Sequence, residues 1–238
     1  MKVYFLGTCH GVQEKGRYLS CAVLEVNDKL YMIDAGAPFV YLLKNMDIIP
    51  KERLEAAFIT HMHDDHAMNI YHCVFNVKHT LYLPEESDVE GMEKLVWFFH
   101  CEWAYERLPH SEFKSVKEGL FFDDGNIKVT AIPTKHLARG KSFAYMIEGE
   151  GKRILFTGDL TDAFIDYPKE AEKYDFDAIV CELTHFDVET AIPKFNNSRT
   201  NRFLFNHVRD DKVALLEANK DKMNIDYYIT NDGDIIEI

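Results

Sequence analysis

Short apolar runs bounded by turn residues recur along the first half of the chain and predict strands that alternate with helices. The pair Asn27-Asp28 between two such runs indicates a hairpin. Pro38 suits the first turn of a helix, where its missing N–H costs nothing. The predicted strands are Lys2–Leu6, Leu19–Val26, Lys29–Asp34, Ala56–Ile59 and His79–Leu83, and the predicted helices are Pro38–Asn45, one that begins near His66, and Asp88–Trp103.

The second half of the chain repeats this alternation of apolar runs and helical patterns. Strand-rich halves interleaved with helices predict an α/β (α+β) fold in which two sheets pack together with helices outside. The absence of a Pro/Gly/Ser-rich linker predicts a single domain over residues 1–238. The predicted strands are Ile127–Ile132, Ser142–Glu148, Arg153–Thr157, Ala178–Glu182, Arg202–Asn206, Tyr227–Ile229 and Ile235–Ile238, and the predicted helices are Ala163–Lys173 with an interruption at Pro168, Glu189–Ser198 and Asp211–Lys222.

Composition narrows the class of protein without identifying it. The chain has 238 residues, of which 47% are hydrophobic and 28% charged, as in an ordinary globular protein. No apolar stretch reaches the roughly 18 residues of a membrane-spanning helix. The five cysteines show no C-x-x-C pairing, which indicates reduced thiols and a cytoplasmic location. The net charge of −13 opposes binding of a long polyanion, which requires a Lys/Arg surface.

The most informative segment is His61-Met-His63-Asp-Asp65-His66, which follows the apolar run Ala56–Thr60. Four metal-capable side chains at the end of a buried strand are held by a rigid base and stay accessible. Their spacing suits two adjacent metal ions better than one closed tetrahedral site. In the alternative interpretation, Asp64 or Asp65 caps a helix that begins near His66.

Three later apolar runs each end on a further metal-capable side chain. His136 follows Val129–Thr134, Asp159 follows the run that ends at Gly158, and His207 follows Phe203–Asn206. Each of these residues alone is weak evidence, because Asp and His are common in turns. Three predicted strands that each end next to a His or Asp residue indicate one shared metal site.

The order Asp34, H-x-H-x-D-H, His136, Asp159, His207 resembles the metallo-β-lactamase-fold metal-dependent hydrolase superfamily. The segments Phe5-Leu-Gly-Thr-Cys-His-Gly-Val12, Ile33-Asp-Ala-Gly36 and Asp232-Gly233 are similar to its ribonuclease Z-like and phosphodiesterase branch. This resemblance implies a four-layer αββα sandwich with metals at one edge. It implies a first ion held by His61, His63 and His136, a second held by Asp65, His66 and His207, a bridging Asp159, and Asp34 orienting a ligand histidine from outside.

The chain also departs from the family pattern. In the family a glycine usually lies three residues after the last histidine of the H-x-H-x-D-H motif, and this position is Asn69 here. The family's catalytic histidine aligns with Cys181 in Cys181-Glu-Leu-Thr-His185. His185 either replaces that histidine from a shifted position or only caps a strand. Ribonuclease Z carries a tRNA-gripping arm between the third and fourth motifs, but only residues 137–158 separate His136 from Asp159. The missing arm and the acidic charge predict that tRNA or another long nucleic acid is an unlikely partner.

The predicted function is hydrolysis of a small phosphodiester at a dinuclear site, with a bridging hydroxide as nucleophile and Asp65 and His185 as catalytic residues. The alternatives are a thioesterase or lactonase of the glyoxalase II type that uses the same site, and a non-enzymatic metal-binding module. The all-His/Asp ligand set suits two divalent zinc ions, with manganese or iron as alternatives. The expected partner is a small-molecule substrate, no membrane association is expected, and a homodimer is left open. The substrate pocket is predicted to include the loops Cys9–Tyr18, Ile70–Phe75, His110–Val116 and Phe186–Asn197.

Overall fold

The computed structural model describes residues 1–48, 53–70, 79–98 and 112–238. Its first sheet has seven strands in the order β14-β1-β2-β3-β4-β5-β6. Strands β1, β2 and β3 pair antiparallel, and β3, β4, β5 and β6 pair parallel. These strands are β1 Lys2–Gly7, β2 Cys21–Val26, β3 Lys29–Ile33, β4 Leu54–Phe58, β5 Thr80–Leu83, β6 Glu112–Ser115 and β14 Ile235–Glu237.

The second sheet also has seven strands, in the order β13-β12-β11-β10-β9-β8-β7. The pairs among β7, β8, β9 and β10 are antiparallel, whereas β10, β11, β12 and β13 run parallel. The strands are β7 Gly119–Asp123, β8 Ile127–Pro133, β9 Phe143–Gly149, β10 Lys152–Phe156, β11 Ala178–Leu183, β12 Arg202–Val208 and β13 Asp226–Ile229.

The helices of the described residues are short, and most agree with the sequence pattern. The predicted helix Ala163–Lys173, with its interruption at Pro168, is shorter in the structure, where only its last four residues are helical. Phe164 has a φ of 52°, outside the helical region, and Pro168 lacks the N–H that an interior turn needs. The α-helices are α1 Phe39–Asn45, α2 Asp64–Ala67, α3 Glu86–Phe98, α4 Glu170–Lys173, α5 Val188–Asn197 and α6 Asp210–Ala218, and a 3₁₀ turn spans Lys220–Lys222.

Two edge strands were not predicted from the sequence. Strands β6 and β7 lie at the ends of their sheets and are exposed or half-buried; β6 has no apolar run, and that of β7 is only the three residues Leu120–Phe122. The predicted helix Asp88–Trp103 corresponds to α3 up to Phe98, and its remaining residues lie outside the described part of the chain.

Three apolar clusters show how the layers pack. One cluster lies between the sheets and joins Phe5, Tyr31 and Phe58 of the first to Tyr145 and Phe156 of the second. A second cluster packs α1 and α3 on the outer face of the first sheet, and a third packs α4, α5 and α6 on the outer face of the second. The predicted αββα sandwich is therefore confirmed.

The described cysteines lie in the interior of the protein. Cys9, Cys21 and Cys181 are free and buried, and burial raises the pKa of each thiol. Cys73 and Cys101 lie outside the described residues. Within those residues, no helix combines the length and the apolar character needed to cross a bilayer.

Candidate metal centre

The loop after β4 carries four histidine and aspartate side chains, and the short helix within it fixes their positions. Its short helix α2 begins after His63, which is the N-cap residue and makes no side-chain cap hydrogen bond. The alternative in which Asp64 or Asp65 caps this helix is therefore wrong, since both residues lie in its first turn. His61, Asp65 and His66 are buried, whereas His63 is exposed. The loop thus has one candidate ligand that faces solvent and three that are buried.

Asp34, directly after β3, fixes this loop through hydrogen bonds to its side-chain carboxylate. Its carboxylate accepts hydrogen bonds from the Thr60 backbone N–H at 2.7 Å and the Thr60 hydroxyl at 2.9 Å. It also accepts one from His66 Nδ1 at 2.7 Å, which leaves Nε2 of that ring to face the centre of the cluster. Asp34 therefore orients a candidate ligand histidine, as expected, and does not itself enter either candidate ligand group.

Three histidines and one aspartate form the first candidate ligand group. His61 Nε2 lies 3.0 Å from His63 Nδ1, and His136 Nε2 lies 3.2 Å from the same nitrogen. Asp159 Oδ2 lies 3.7 Å from both His61 Nε2 and His136 Nε2. Four donor atoms converge from three separate loops, which is the arrangement that a tetrahedral divalent cation requires.

The second candidate group shares Asp159 with the first and adds Asp65, His66 and His207. His207 Nε2 lies 3.0 Å from Asp65 Oδ2 and 3.6 Å from Asp159 Oδ2. His66 Nε2 lies 3.3 Å from Asp159 Oδ1. The two oxygens of Asp159 thus face both groups, which is the position expected of a bridging carboxylate.

The strand ends of the second sheet bring Asp159 and His207 to this point. Asp159 follows β10 after Gly158, whose φ of 57° suits a residue without a side chain. His207 has a φ of 52°, which is uncommon for histidine, and its carbonyl accepts a 2.5 Å hydrogen bond from the Thr184 hydroxyl. A strained backbone at a clustered polar side chain is typical of a functional site.

The electrostatics of the cluster follow from burying histidines and carboxylates against one another. Burial and the neighbouring His66 hold the pKa of His61 well below its usual value. Burial would lower the pKa of His66 as well, but Asp159 and Asp34 raise it well above its usual value. Burial would raise the pKa of Asp159, yet His207 and His66 hold it well below its usual value. The histidines thus share the role of balancing buried carboxylates.

The donor set fits divalent metal ions. Among the described residues, His66 Nε2 and Asp159 Oδ1 face each other in the second group and are buried atoms without a hydrogen-bond partner. Such orphaned atoms are rare in folded proteins and call for an explanation. A cavity of about 30 Å³ is lined by His66 and Asp159, among other residues, so there is space beside both side chains. Mixed imidazole and carboxylate donors suit zinc, manganese and iron.

His185 joins the edge of this cluster. Its Nδ1 lies 2.8 Å from Glu182 Oε2 and 3.8 Å from Asp159 Oδ2. Its ring lies 4.7 Å from that of His136 and stacks on that of His207 at 5.6 Å. The interpretation in which His185 only caps a strand is therefore incomplete, because the ring faces the candidate ligands.

Sequence reasoning did not single out Thr60 or Glu182. Thr60 connects Asp34 to the ligand loop, and its hydroxyl also lies 3.1 Å from His61 Nδ1. Glu182 belongs to a third His/Asp/Glu group with Asp159, His185 and His207. The only signal in the sequence was their position at the ends of apolar runs.

Two of the predicted pocket loops can be checked. The segment Cys9–Tyr18 reaches the site, because a Cβ added at Gly11 would lie 3.7 Å from Asp65 Oδ2. The segment Phe186–Asn197 is mostly the helix α5 and not a loop, since Asp187 caps it by accepting a hydrogen bond from the Thr190 N–H at 2.8 Å. The segments 71–75 and 110–111 lie outside the described residues, and 112–115 form β6.

The sandwich and its strand-end His/Asp cluster define the metallo-β-lactamase fold. A metallo-β-lactamase-fold protein, YhfI of Bacillus subtilis, superposes with a TM-score of 0.77 at 17% identity, over 99% of each chain. The family model of the Anti-Pycsar protein Apyc1 matches residues 1–194, and the chain belongs to that family.

Other similar proteins confirm the resemblance to the ribonuclease Z-like branch. Ribonuclease Z of Picosynechococcus sp. is 29% identical over 153 residues, which cover 62% of this chain and 47% of that protein. The chain spans about half the length of the curated relatives it matches. The short form of human tRNase Z superposes with a TM-score of 0.77 at 18% identity, over 100% of this chain and 99% of that one.

These relatives correct one expectation. The prediction that tRNA or another long nucleic acid is an unlikely partner is wrong, because the similar proteins are ribonuclease Z and a tRNase Z. The net charge of −13 describes the whole surface and says little about a local one. Bound cations also change the sign of the charge at a site, so global acidity is a poor guide to substrate charge.

Proposed function

We propose that this chain is a metal-dependent phosphodiesterase that acts on a small phosphodiester. The observation that carries the proposal is the pair of candidate ligand groups that share Asp159. Two divalent cations side by side stabilise both the attacking and the leaving oxygens of a displacement at phosphorus. A single closed structural site would not require a shared carboxylate between two groups.

The residues would divide between two cations. His61, His63 and His136 would hold the first, and Asp159 would contact both. Asp65, His66 and His207 would hold the second. When bound, the cations lower the pKa of a coordinated water and neutralise charge on the phosphoryl oxygens. Zinc is the proposed metal, and manganese and iron are the alternatives that the same donors accept.

Two residues are proposed to move protons. The carboxylate of Asp65, next to the cluster and under the Gly11 segment, is placed to accept the proton of the attacking water. His185 keeps Nδ1 engaged with Glu182, so its Nε2 remains to serve the leaving oxygen. The side chain of His185 is half-buried, with 31% exposed, so a substrate can reach its ring.

Several observations support a reaction at the phosphorus atom of a phosphodiester, catalysed by a single domain. The names of the similar proteins, ribonuclease Z and tRNase Z, describe cleavage of phosphodiester bonds. Both sheets contribute candidate ligands, which supports residues 1–238 acting as a single domain. The buried free thiols support a reducing, cytoplasmic location.

A substrate panel tests the proposal. Purified protein loaded with zinc or manganese is assayed on bis-p-nitrophenyl phosphate, on small linear and cyclic diesters, and on a tRNA precursor. S-lactoylglutathione and a set of lactones test the alternative reaction at a carbonyl. We expect turnover of the small diesters, and the loss of that turnover in His63→Ala and Asp159→Ala, because each variant removes a candidate ligand.

Each other outcome favours a different function. Thioester or lactone turnover without diester turnover would show a glyoxalase II-like or lactonase activity at the same site. Cleavage of the tRNA precursor without turnover of small diesters would move the substrate class to RNA. Metal binding without turnover on any substrate would favour the non-enzymatic metal-binding module.

A further inference from the structure

Glu182 is a buried carboxylate at the end of β11 that connects two loops of the site. Its Oε1 accepts a hydrogen bond from the Leu160 N–H at 2.5 Å, directly after Asp159. Its Oε2 accepts one from the His185 N–H at 2.9 Å and one from His185 Nδ1 at 2.8 Å. The Thr184 N–H also donates to Oε2, at 3.1 Å. The residue thus fixes the Asp159 loop and the His185 side chain at once.

The burial of Glu182 makes these contacts specific. The residue is 3% exposed, and in the described ranges no Lys or Arg forms an ion pair with it. A buried carboxylate without a cation needs several N–H donors to offset its lost hydration. Of the four donors here, three are backbone groups, and only one is a side chain that could point elsewhere. That side chain is the His185 ring.

His185 occupies a defined place as a result. Its ring is held between Glu182 and the ring of His207, on which it stacks with an interplanar angle of 20°. The Thr184 hydroxyl extends the same network to the His207 carbonyl. One hydrogen-bond network therefore joins the two loops and the end of β12. A shift of Glu182 would displace His185 more than it would displace the candidate ligands, which have further contacts of their own.

We propose that Glu182 is a positioning residue that fixes the ring of His185 so that Nε2 faces the leaving-group oxygen of the substrate. The inference rests on the proposed phosphodiester hydrolysis and adds the residue that prepares its proton donor. The Nδ1–H remains donated to Glu182 Oε2, so the second proton of the imidazolium lies on Nε2.

The proton transfer accompanies cleavage of the ester bond. The oxygen of the attacking water, whose proton Asp65 accepts, forms a new bond to phosphorus. The bond between phosphorus and the leaving oxygen breaks, and its electron pair stays on that oxygen. The oxygen takes the Nε2 proton and leaves as a neutral alcohol. The neutral imidazole then regains a proton from water. A positioned proton donor is worth about 10²- to 10⁴-fold in rate when the leaving group is a strong base. A nitrophenolate, which is a weak base, requires little of this assistance.

The dependence on the leaving group gives the test. Wild-type protein, Glu182→Gln and His185→Asn are compared on bis-p-nitrophenyl phosphate and on dithymidine monophosphate, whose leaving group is an alkoxide. On the dinucleotide we expect Glu182→Gln to lose about 10- to 100-fold in kcat, as for partners that orient a reacting group, and His185→Asn, which removes the proton donor itself, to lose about 10²- to 10⁴-fold. On the nitrophenyl diester we expect a loss of less than about 3-fold. His185→Asn changes a half-exposed side chain and keeps the test valid if Glu182→Gln does not fold.

Asp166→Asn is the matched control. Asp166 is also a buried carboxylate that fixes two site loops, since it accepts hydrogen bonds from the Lys135 N–H at 2.7 Å and the Thr161 N–H at 3.0 Å. Among the described residues, its hydrogen bonds do not include His185. A loss caused only by loosened loops should therefore appear in this variant as the same factor on both diesters.

Two further readouts separate positioning from general damage. In the double variant, Glu182→Gln should cause no additional change in the ratio of the two rates, because it acts through His185. Nitrogen-15 NMR of the metal-free protein should show the Nδ1 signal of His185 shifted by Glu182→Gln and unchanged by Asp166→Asn.

The outcomes are distinct. Equal losses on both diesters for Glu182→Gln, matching those of Asp166→Asn, would overturn the inference and leave the phosphodiesterase proposal intact. An unchanged His185 Nδ1 signal in Glu182→Gln would overturn it as well. Absence of diester turnover in the wild-type protein would instead overturn the proposed function, and the inference with it.

Discussion

The contact between Gly36 and the ligand loop provides a sharp structural prediction. A Cβ added at Gly36 would lie 1.9 Å from the Asp65 carbonyl oxygen and 2.8 Å from its carbonyl carbon. The same turn is tied to that loop by hydrogen bonds from the Ala35 N–H to the His66 carbonyl at 2.7 Å and from the Asn69 side chain to the Gly36 carbonyl at 2.6 Å. We therefore expect Gly36→Ala to displace Asp65 and His66.

The size of this effect follows from the contact. Overpacking typically costs about 1–3 kcal/mol, and a clash with backbone belongs at the upper end because backbone cannot change rotamer. For a chain of this length, each 1 kcal/mol lowers Tm by roughly 2–4 °C, so Gly36→Ala should lower Tm by roughly 6–12 °C. A displacement of about 1 Å at a catalytic group can cost about 10²-fold in rate. The variant should therefore lose activity even at temperatures where it is folded.

Gly91→Ala is the control for this experiment. Gly91 lies inside α3, nothing lies within 4 Å of an added Cβ, and alanine favours a helix interior over glycine by about 0.5–1 kcal/mol. Calorimetry, metal content and diester turnover are measured on both variants. We expect a higher Tm with unchanged metal content for Gly91→Ala. A Gly36→Ala protein with wild-type Tm and metal content would refute the reasoning.

Three further predictions concern the metal centre. Asp159→Ala should abolish turnover and weaken the second cation most, whereas Asp34→Asn should cost only about 10- to 100-fold in metal affinity; equal losses by competition with a chelator would contradict these roles. Thr60→Val should lower zinc affinity by a similar factor, since its hydroxyl connects Asp34 to His61; unchanged zinc titrations would exclude that link. Removal of metal should lower Tm, because a ligand present at about 100 times its Kd stabilises the folded state by about 2.7 kcal/mol; identical melting of both forms would argue against binding.

The inner strands and the ligand positions could be predicted because their physical signals are local. A buried strand such as β4 is a short apolar run, and a ligand at its end follows directly in sequence. Strands that run parallel place their carboxyl ends at one edge, so Asp159 and His207 meet although 47 residues, 160–206, lie between them in the chain.

Other features depend on contacts that no local pattern encodes. The apolar residues before α4 are spaced as in a helix. In the structure, Phe164 has a positive φ, and its ring packs against that of Phe186 with 4.2 Å between the ring centroids. In the sequence, Glu182 has the pattern of an ordinary strand residue, and only the fold brings four N–H donors to its carboxylate. The similarity to ribonuclease Z and a tRNase Z was likewise not foreseen from a net charge of −13, which describes the whole surface and no local part of it.

A zinc titration of the metal-free protein tests the central claim most directly. Bound zinc is counted per chain while turnover of bis-p-nitrophenyl phosphate is followed in the same samples. The shared Asp159 between two ligand groups predicts that turnover rises until two ions are bound and then remains constant. Full turnover with a single ion bound, or two bound ions without turnover, would contradict the account.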